Sequence, residues 1–119
     1  MKRLAKWVIP QIEKLPSDIV ALNFNLYEEK IKFCFAVQLV GCITYDENDE
    51  DWACDIYYSS HENLYYFCAK NWEYALEKFL KLIREELDGT IVLPERIKYV
   101  TAGFVDGNLE VIINKKNNF

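Results

Sequence analysis

From Val20 to Leu39 nearly every second side chain is apolar, in two successive runs. Val20, Leu22, Phe24 and Leu26 oppose Asn23, Asn25 and Tyr27; Ile31, Phe33, Phe35, Val37 and Leu39 alternate with Lys32, Cys34, Ala36 and Gln38. A period of two places successive side chains on opposite faces of an extended strand, whereas a helix would scatter the same pattern around its whole circumference. Glu28-Glu29-Lys30 is a short polar connector, so the spacing predicts a hairpin of two half-buried strands. Gly41 is a candidate break or bulge, after which 42–45 continues the second strand and 52–58 returns antiparallel to it.

Elsewhere the period changes to that of a helix. Leu4, Trp7, Val8, Gln11, Ile12 and Leu15 share one face, with Pro10 either kinking the helix or lying in its first turn, and Pro16-Ser17-Asp18 ending it. The strongest helix spans 71–88: Trp72, Ala75, Leu76, Phe79, Ile83 and Leu87 recur at i, i+3, i+4 spacing, with Asn71 as N-cap and Gly89 as C-terminal stop. Near the end, 99–105 and 109–113 flank Asp106-Gly107, a dipeptide suited to a type I′ hairpin turn. Strands segregated from a long helix imply an α+β fold. The expectation is one domain over 1–119, with a mostly antiparallel sheet of five to six strands packed on the 71–88 helix and an N-terminal helix.

Charge is distributed less evenly than structure. Asp46, Glu47, Asp49, Glu50, Asp51 and Asp55 fall within ten residues that contain no Lys or Arg, while the other 13 acids are offset by 14 Lys and Arg. One segment therefore accounts for the formal charge of −5. Acids packed that densely repel one another, and the cost is offset by a cation, by a basic partner, or by water around an open loop.

Most chemistries are disfavoured by residue type and spacing. Asp46, Asn48 and Glu50 alternate like the start of a calcium loop, but the position that requires glycine is Asp51 and the position that requires a bidentate Glu is Tyr57. No metal is assigned to the loop and no cofactor to the chain. Cys54, Asp55 and His61 supply a nucleophile, an orienting group and a base by type, yet a strand would put Cys54 and Asp55 on opposite faces, and no nucleophile motif surrounds Cys54. The chain is therefore read as a non-enzyme. Cys34, Cys42, Cys54 and Cys68 include no CxxC pair and read as free thiols, not as a disulfide framework or a zinc set. Four dispersed glycines build no phosphate cradle, and the acidic field would repel nucleic acid. No stretch approaches 18 apolar residues, and the longest uncharged N-terminal run, Trp7 to Ile12, is too short for a signal segment; the expected location is the cytoplasm.

Trp52 lies inside the acidic run, followed by Tyr57 and Tyr58. Aromatics beside concentrated charge are how an interface combines a desolvated anchor with a steering rim, although Trp52 at the start of a strand could equally pack inward.

The run Tyr45-Asp46-Glu47-Asn48-Asp49-Glu50-Asp51-Trp52-Ala53-Cys54-Asp55, followed by Ala102-Gly103-Phe104-Val105-Asp106-Gly107-Asn108, resembles small immunity proteins of bacterial polymorphic and contact-dependent growth inhibition toxin systems. The resemblance extends to size, acidity and a single α+β domain. It implies a non-enzymatic inhibitor that binds a basic toxin domain, such as a nuclease. The binding face would be Asp46, Glu47, Asp49, Glu50, Asp51 and Asp55 with Trp52, Tyr57 and Tyr58. The rival readings are a small metal-binding protein or enzyme using the 46–55 loop, and a housekeeping interaction domain. Exposed strand edges would permit a homodimer, but nothing in the sequence selects one.

Overall fold

The computed structural model describes residues 2–60 and 63–115. The chain is α+β: one mixed six-stranded sheet with two helices on one face. In order come helix α1 (Lys2–Lys14), strands β1 (Ala21–Glu28) and β2 (Cys34–Cys42), a 3₁₀ helix (Glu50–Cys54), β3 (Tyr58–Ser59), β4 (Tyr65–Cys68), helix α2 (Trp72–Leu87), β5 (Tyr99–Phe104) and β6 (Glu110–Asn114). The sheet runs β3-β2-β1-β5-β6, and β4 pairs with β2 on the same edge as β3. β3 meets β2 at Val40 and Gly41, and β4 meets it from Cys34 to Val37.

β1 and β2 form the expected antiparallel ladder, Ala21 opposite Cys42 and Glu28 opposite Phe35. Their connection is longer than the alternation suggests. Ile31 and Phe33 lie outside the strand, Ile31 at 73% exposure, and Phe33 takes a left-handed φ of 68°. That conformation costs a non-glycine residue about 1 to 2 kcal/mol and breaks the alternation, because a left-handed residue cannot continue a strand. The bonds Cys34 N to Ile31 O (3.1 Å) and Glu29 N to Cys34 O (2.9 Å) close the connection.

The sheet is mostly antiparallel, as expected, with one parallel contact among the described residues. β1 is bonded on its other side to β5 in parallel, Ala21 opposite Tyr99 and Leu26 opposite Phe104. This makes β1 central, and it is buried on both faces. Leu22, Phe24 and Leu26 join Phe35, Val37, Leu39, Val100 and Ala102 against both helices. α1 presents Leu4, Trp7, Val8, Gln11 and Ile12 inward as its spacing requires, Leu15 just past its end is buried too, and Pro10 lies inside the helix and exposed. α2 starts where expected: the Asn71 side chain accepts from Tyr74 N at 2.9 Å. Trp72 departs from the apolar stripe, 51% exposed with its ring edge-on to Phe104 at 6.0 Å. Gly89 has no positive φ; the amides of Gly89, Thr90 and Ile91 all turn to the Glu86 carbonyl.

β5 and β6 pair antiparallel with a register shift between Val100 and Thr101. The turn between them is not type I′, since among the described residues only Phe33 has a positive φ. Instead Gly107 N donates to Phe104 O (2.9 Å) within the longer connection 105–109. Glycine is demanded two positions before that connection. A Cβ on Gly103 would sit 2.5 Å from the Asn108 carbonyl oxygen, so the returning chain closes directly over the strand.

Candidate functional site

The acidic segment is a folded loop seated on the sheet face that the helices leave uncovered. Two Asx-type contacts shape it: Asp46 Oδ1 accepts from Asn48 N (2.9 Å), and Asp49 Oδ1 accepts from Asp51 N (3.0 Å). The second caps the 3₁₀ helix, whose first turn holds Glu50 and Asp51. The strand expected from Trp52 is thus this helix, and extended pairing resumes only at Tyr58–Ser59, antiparallel to β2 as foreseen. Asp and Asn side chains that bond forward to their own backbone favour tight turns over ladders, which is why the local chemistry overrides the strand-like composition.

Trp52 anchors the loop from within. It is 7% exposed and packs with Ala53, Ala21, Cys42 and Tyr99 in a second, smaller core. Tyr45 stacks on Tyr99 at 4.8 Å and 8°, and the Trp52 ring meets both edge-on, at 6.5 Å and 5.5 Å. Trp52 is therefore not an exposed interface residue; the ring holds the loop in place. Two carboxylates tie the loop to the last hairpin: Glu50 Oε2 accepts from Leu109 N (2.8 Å), and Glu47 Oε2 accepts from Asn114 Nδ2 (2.7 Å). The two stretches that carry the family resemblance are thus neighbours in space.

Asp46, Glu47, Asp49, Glu50, Asp51 and Asp55 all remain exposed. Their field registers on the aromatic box beneath them. The Tyr99 phenol is pushed above its ordinary 10.0, first by burial and then by the charges of Glu47, Glu50, Tyr45 and Asp46. Cys42 is raised to about 11, first by burial and then by Asp55 and Cys54. Exposed apolar groups follow the acids, Ile56 at 47% and Tyr57 at 55%. Tyr58 separates from this surface. It is half-buried against the helix-side core, its hydroxyl bonded to Gln11 of α1, and burial raises its phenol.

Between the loop and the Asp106-Gly107 turn lies a cleft of about 340 Å³. Asn23 and Asn25 contribute amides, Glu50 and Asp51 carboxylates, and Ile56 and Leu109 apolar walls. Asn23 is fixed by its neighbours: its amide donates to Asn25 Oδ1 (2.6 Å), and its oxygen accepts from Thr101 Oγ1 (2.8 Å). A concave site of carboxylates and amide oxygens with apolar sides suits a cationic side chain with an aliphatic stem. The alternation in β1 marked Asn23 and Asn25 only as the polar face, and no local signal brings them under an acidic loop thirty positions away.

Among the described residues no three or more His, Cys, Asp or Glu side chains converge to hold a metal ion. Cys54 is exposed beside Asp55, and the base proposed for that grouping, His61, lies outside the described residues. No helix is long and apolar enough to cross a membrane. Comparison with protein-family models, curated proteins and solved structures yields no match.

Proposed function

We propose that this chain is a non-enzymatic inhibitor of the immunity type, which binds a basic toxin domain in the cytoplasm through its 46–55 loop. The observation that carries the reading is the pinned loop: six exposed acids held on a folded support by Trp52, Glu47 and Glu50. A floppy acidic tail loses conformational freedom when it binds, whereas a loop folded beforehand does not. Exposed carboxylates around an acidic cleft steer a basic partner and can raise its association rate by about one to three orders of magnitude, an effect that salt suppresses. The apolar contact that slows dissociation falls to Ile56 and Tyr57, since Trp52 is committed to the loop's own core.

The test begins with the product of the gene directly upstream. Expressed alone, it should arrest growth; co-expressed with this chain, it should not. Replacing Asp51 and Asp55 together by Lys, which keeps the turn-forming Asp46 and Asp49, should abolish protection and slow association of the purified pair at least tenfold at low salt, with the fold intact by circular dichroism. Full protection by the double variant, or an upstream product that is harmless, would sink the proposal.

A further inference from the structure

A second constellation lies at the opposite end of β2, and the binding reading makes no use of it. Cys34, the first residue of β2, stands directly opposite Cys68, the last residue of β4. Their backbone groups define the kind of opposition. Glu29 N donates to Cys34 O (2.9 Å), which turns the backbone groups of Cys34 toward β1; on the β4 side the bonding position is the next one along, where Ala69 N donates to Phe33 O (3.1 Å). Cys34 and Cys68 therefore form a non-hydrogen-bonded antiparallel pair. Such pairs bring Cα atoms to about 4.5 Å with side chains on the same face. That is within the window of about 4.4 to 6.8 Å that a disulfide requires.

Burial raises the Cys34 thiol above its ordinary 9.0, and hydrogen bonding and charge from the facing Cys68 and the charge of Glu29 raise it further. Access is open as well: Cys68 is exposed, Cys34 half-buried, and both line a cleft of about 840 Å³ together with Ile31, Tyr66, Lys30 and Lys78. Lys78 Nζ donates to the Cys68 backbone carbonyl oxygen (3.2 Å), and Glu29 lines the same cleft on the Cys34 side. Cys42 is buried, and Cys54 lies in the acidic loop on the far side of β2's other end.

We propose that Cys34 and Cys68 are a reversible dithiol–disulfide site, oxidised by small peptide disulfides such as oxidised glutathione. The exposed Cys68 thiolate attacks one sulfur of the disulfide, forming a mixed disulfide and releasing one glutathione thiolate, which takes up a proton. Cys34 then gives up its proton, attacks the Cys68 sulfur and expels the second glutathione. The two cysteines are oxidised by two electrons, one disulfide is reduced to two thiols, and a covalent clasp joins β4 to β2. The link encloses 35–67, which contains the whole acidic loop, and so restricts the unfolded chain.

The experiment incubates the full chain with mixtures of oxidised and reduced glutathione, followed by intact mass, peptide mapping and thermal unfolding. The expected product is a monomer lighter by two hydrogen atoms, with a Cys34–Cys68 crosslinked peptide, a midpoint of unfolding raised by about 10 °C, and full reversal by a dithiol reductant. Cys34→Ser and Cys68→Ser should each abolish it, and the Cys42→Ser/Cys54→Ser double variant should keep it. A disulfide that survives either single variant, or oxidation that stops at a glutathione adduct or a chain-to-chain dimer, would overturn the proposal.

Discussion

The two faces of the sheet are closed by different means. One face is roofed by α1 and α2 and filled with large apolar side chains, among them Phe24, Phe35, Phe79, Leu22 and Ile83, all essentially inaccessible. The other is roofed in part by a loop with little apolar material of its own. There a box of Tyr45, Trp52 and Tyr99 supplies the packing, and a run of polar bonds, Thr101 to Asn23, Asn23 to Asn25, Gln38 to Ser59, covers the strands. The first face derives its stability from area removed from water. The second uses a small apolar anchor and directional bonds to hold charge outward, which a bulky hydrophobic roof would have displaced.

If that contrast is right, the largest loss should come from the helix-roofed face. Phe79 is fully buried and meets the rings of Phe24 (5.4 Å) and Phe67 (6.4 Å). Phe79→Ala should cost about 3 to 5 kcal/mol in denaturant unfolding, because a cavity remains where three rings met. Trp52→Ala should cost less, about 2 to 3 kcal/mol, because the loop can swing away instead of leaving a void. Its signature should be local, with hydrogen exchange accelerating across 45–57 before the strands respond. Equal global losses for the two variants would erase the distinction between the faces.

Smaller effects sharpen it. Thr101→Val keeps the shape of the buried side chain and removes its bond to Asn23 Oδ1. Unfolding should be easier by about 1 to 2 kcal/mol, since a buried acceptor loses a partner. The least change should come from charge alone. Tyr99 holds its proton more tightly in the folded protein, so its contribution to stability is complete below its ordinary value of 10.0 and is lost as pH rises through the folded value. In a Glu47→Gln/Glu50→Gln variant, the Tyr99 midpoint in an ultraviolet titration, assigned with Tyr99→Phe, should move down but stay above 10.0, because burial is the larger cause. A midpoint unmoved by the substitutions would mean that the acids do not act on the box.

Much of this fold can be read from the chain, and what cannot is of one kind. Both helices, their inward faces, the Asn71 cap and the β1–β2 ladder follow from periodicity and side-chain chemistry acting over a few residues. The parallel pairing of β1 with β5 does not, because alternation looks the same whichever way the neighbouring strand runs. Tyr65 and Phe67 alternate inward against exposed Tyr66 and Cys68, a run of four residues too brief to mark β4 beforehand. In the candidate site, the density of acids was plain from sequence. That Trp52 turns inward was not, since its partners Tyr45 and Tyr99 lie 7 and 47 positions away and only the fold assembles them.

The parallel contact of β1 with β5 also bears on how the molecule comes into being. Thr101 and Asn23 are 78 positions apart in sequence, yet they bond at the centre of the sheet. Chains emerge from synthesis N-terminus first, so β1 can pair with β2 early while its other flank stays open. Until β5 arrives, that flank offers unpaired amides and carbonyls to any neighbour in the cell. The step that ends this exposure is a single closure over most of the chain, and contacts that far apart in sequence form slowly compared with local ones. The nascent protein is thus vulnerable along the strand that becomes the most protected part of the finished one.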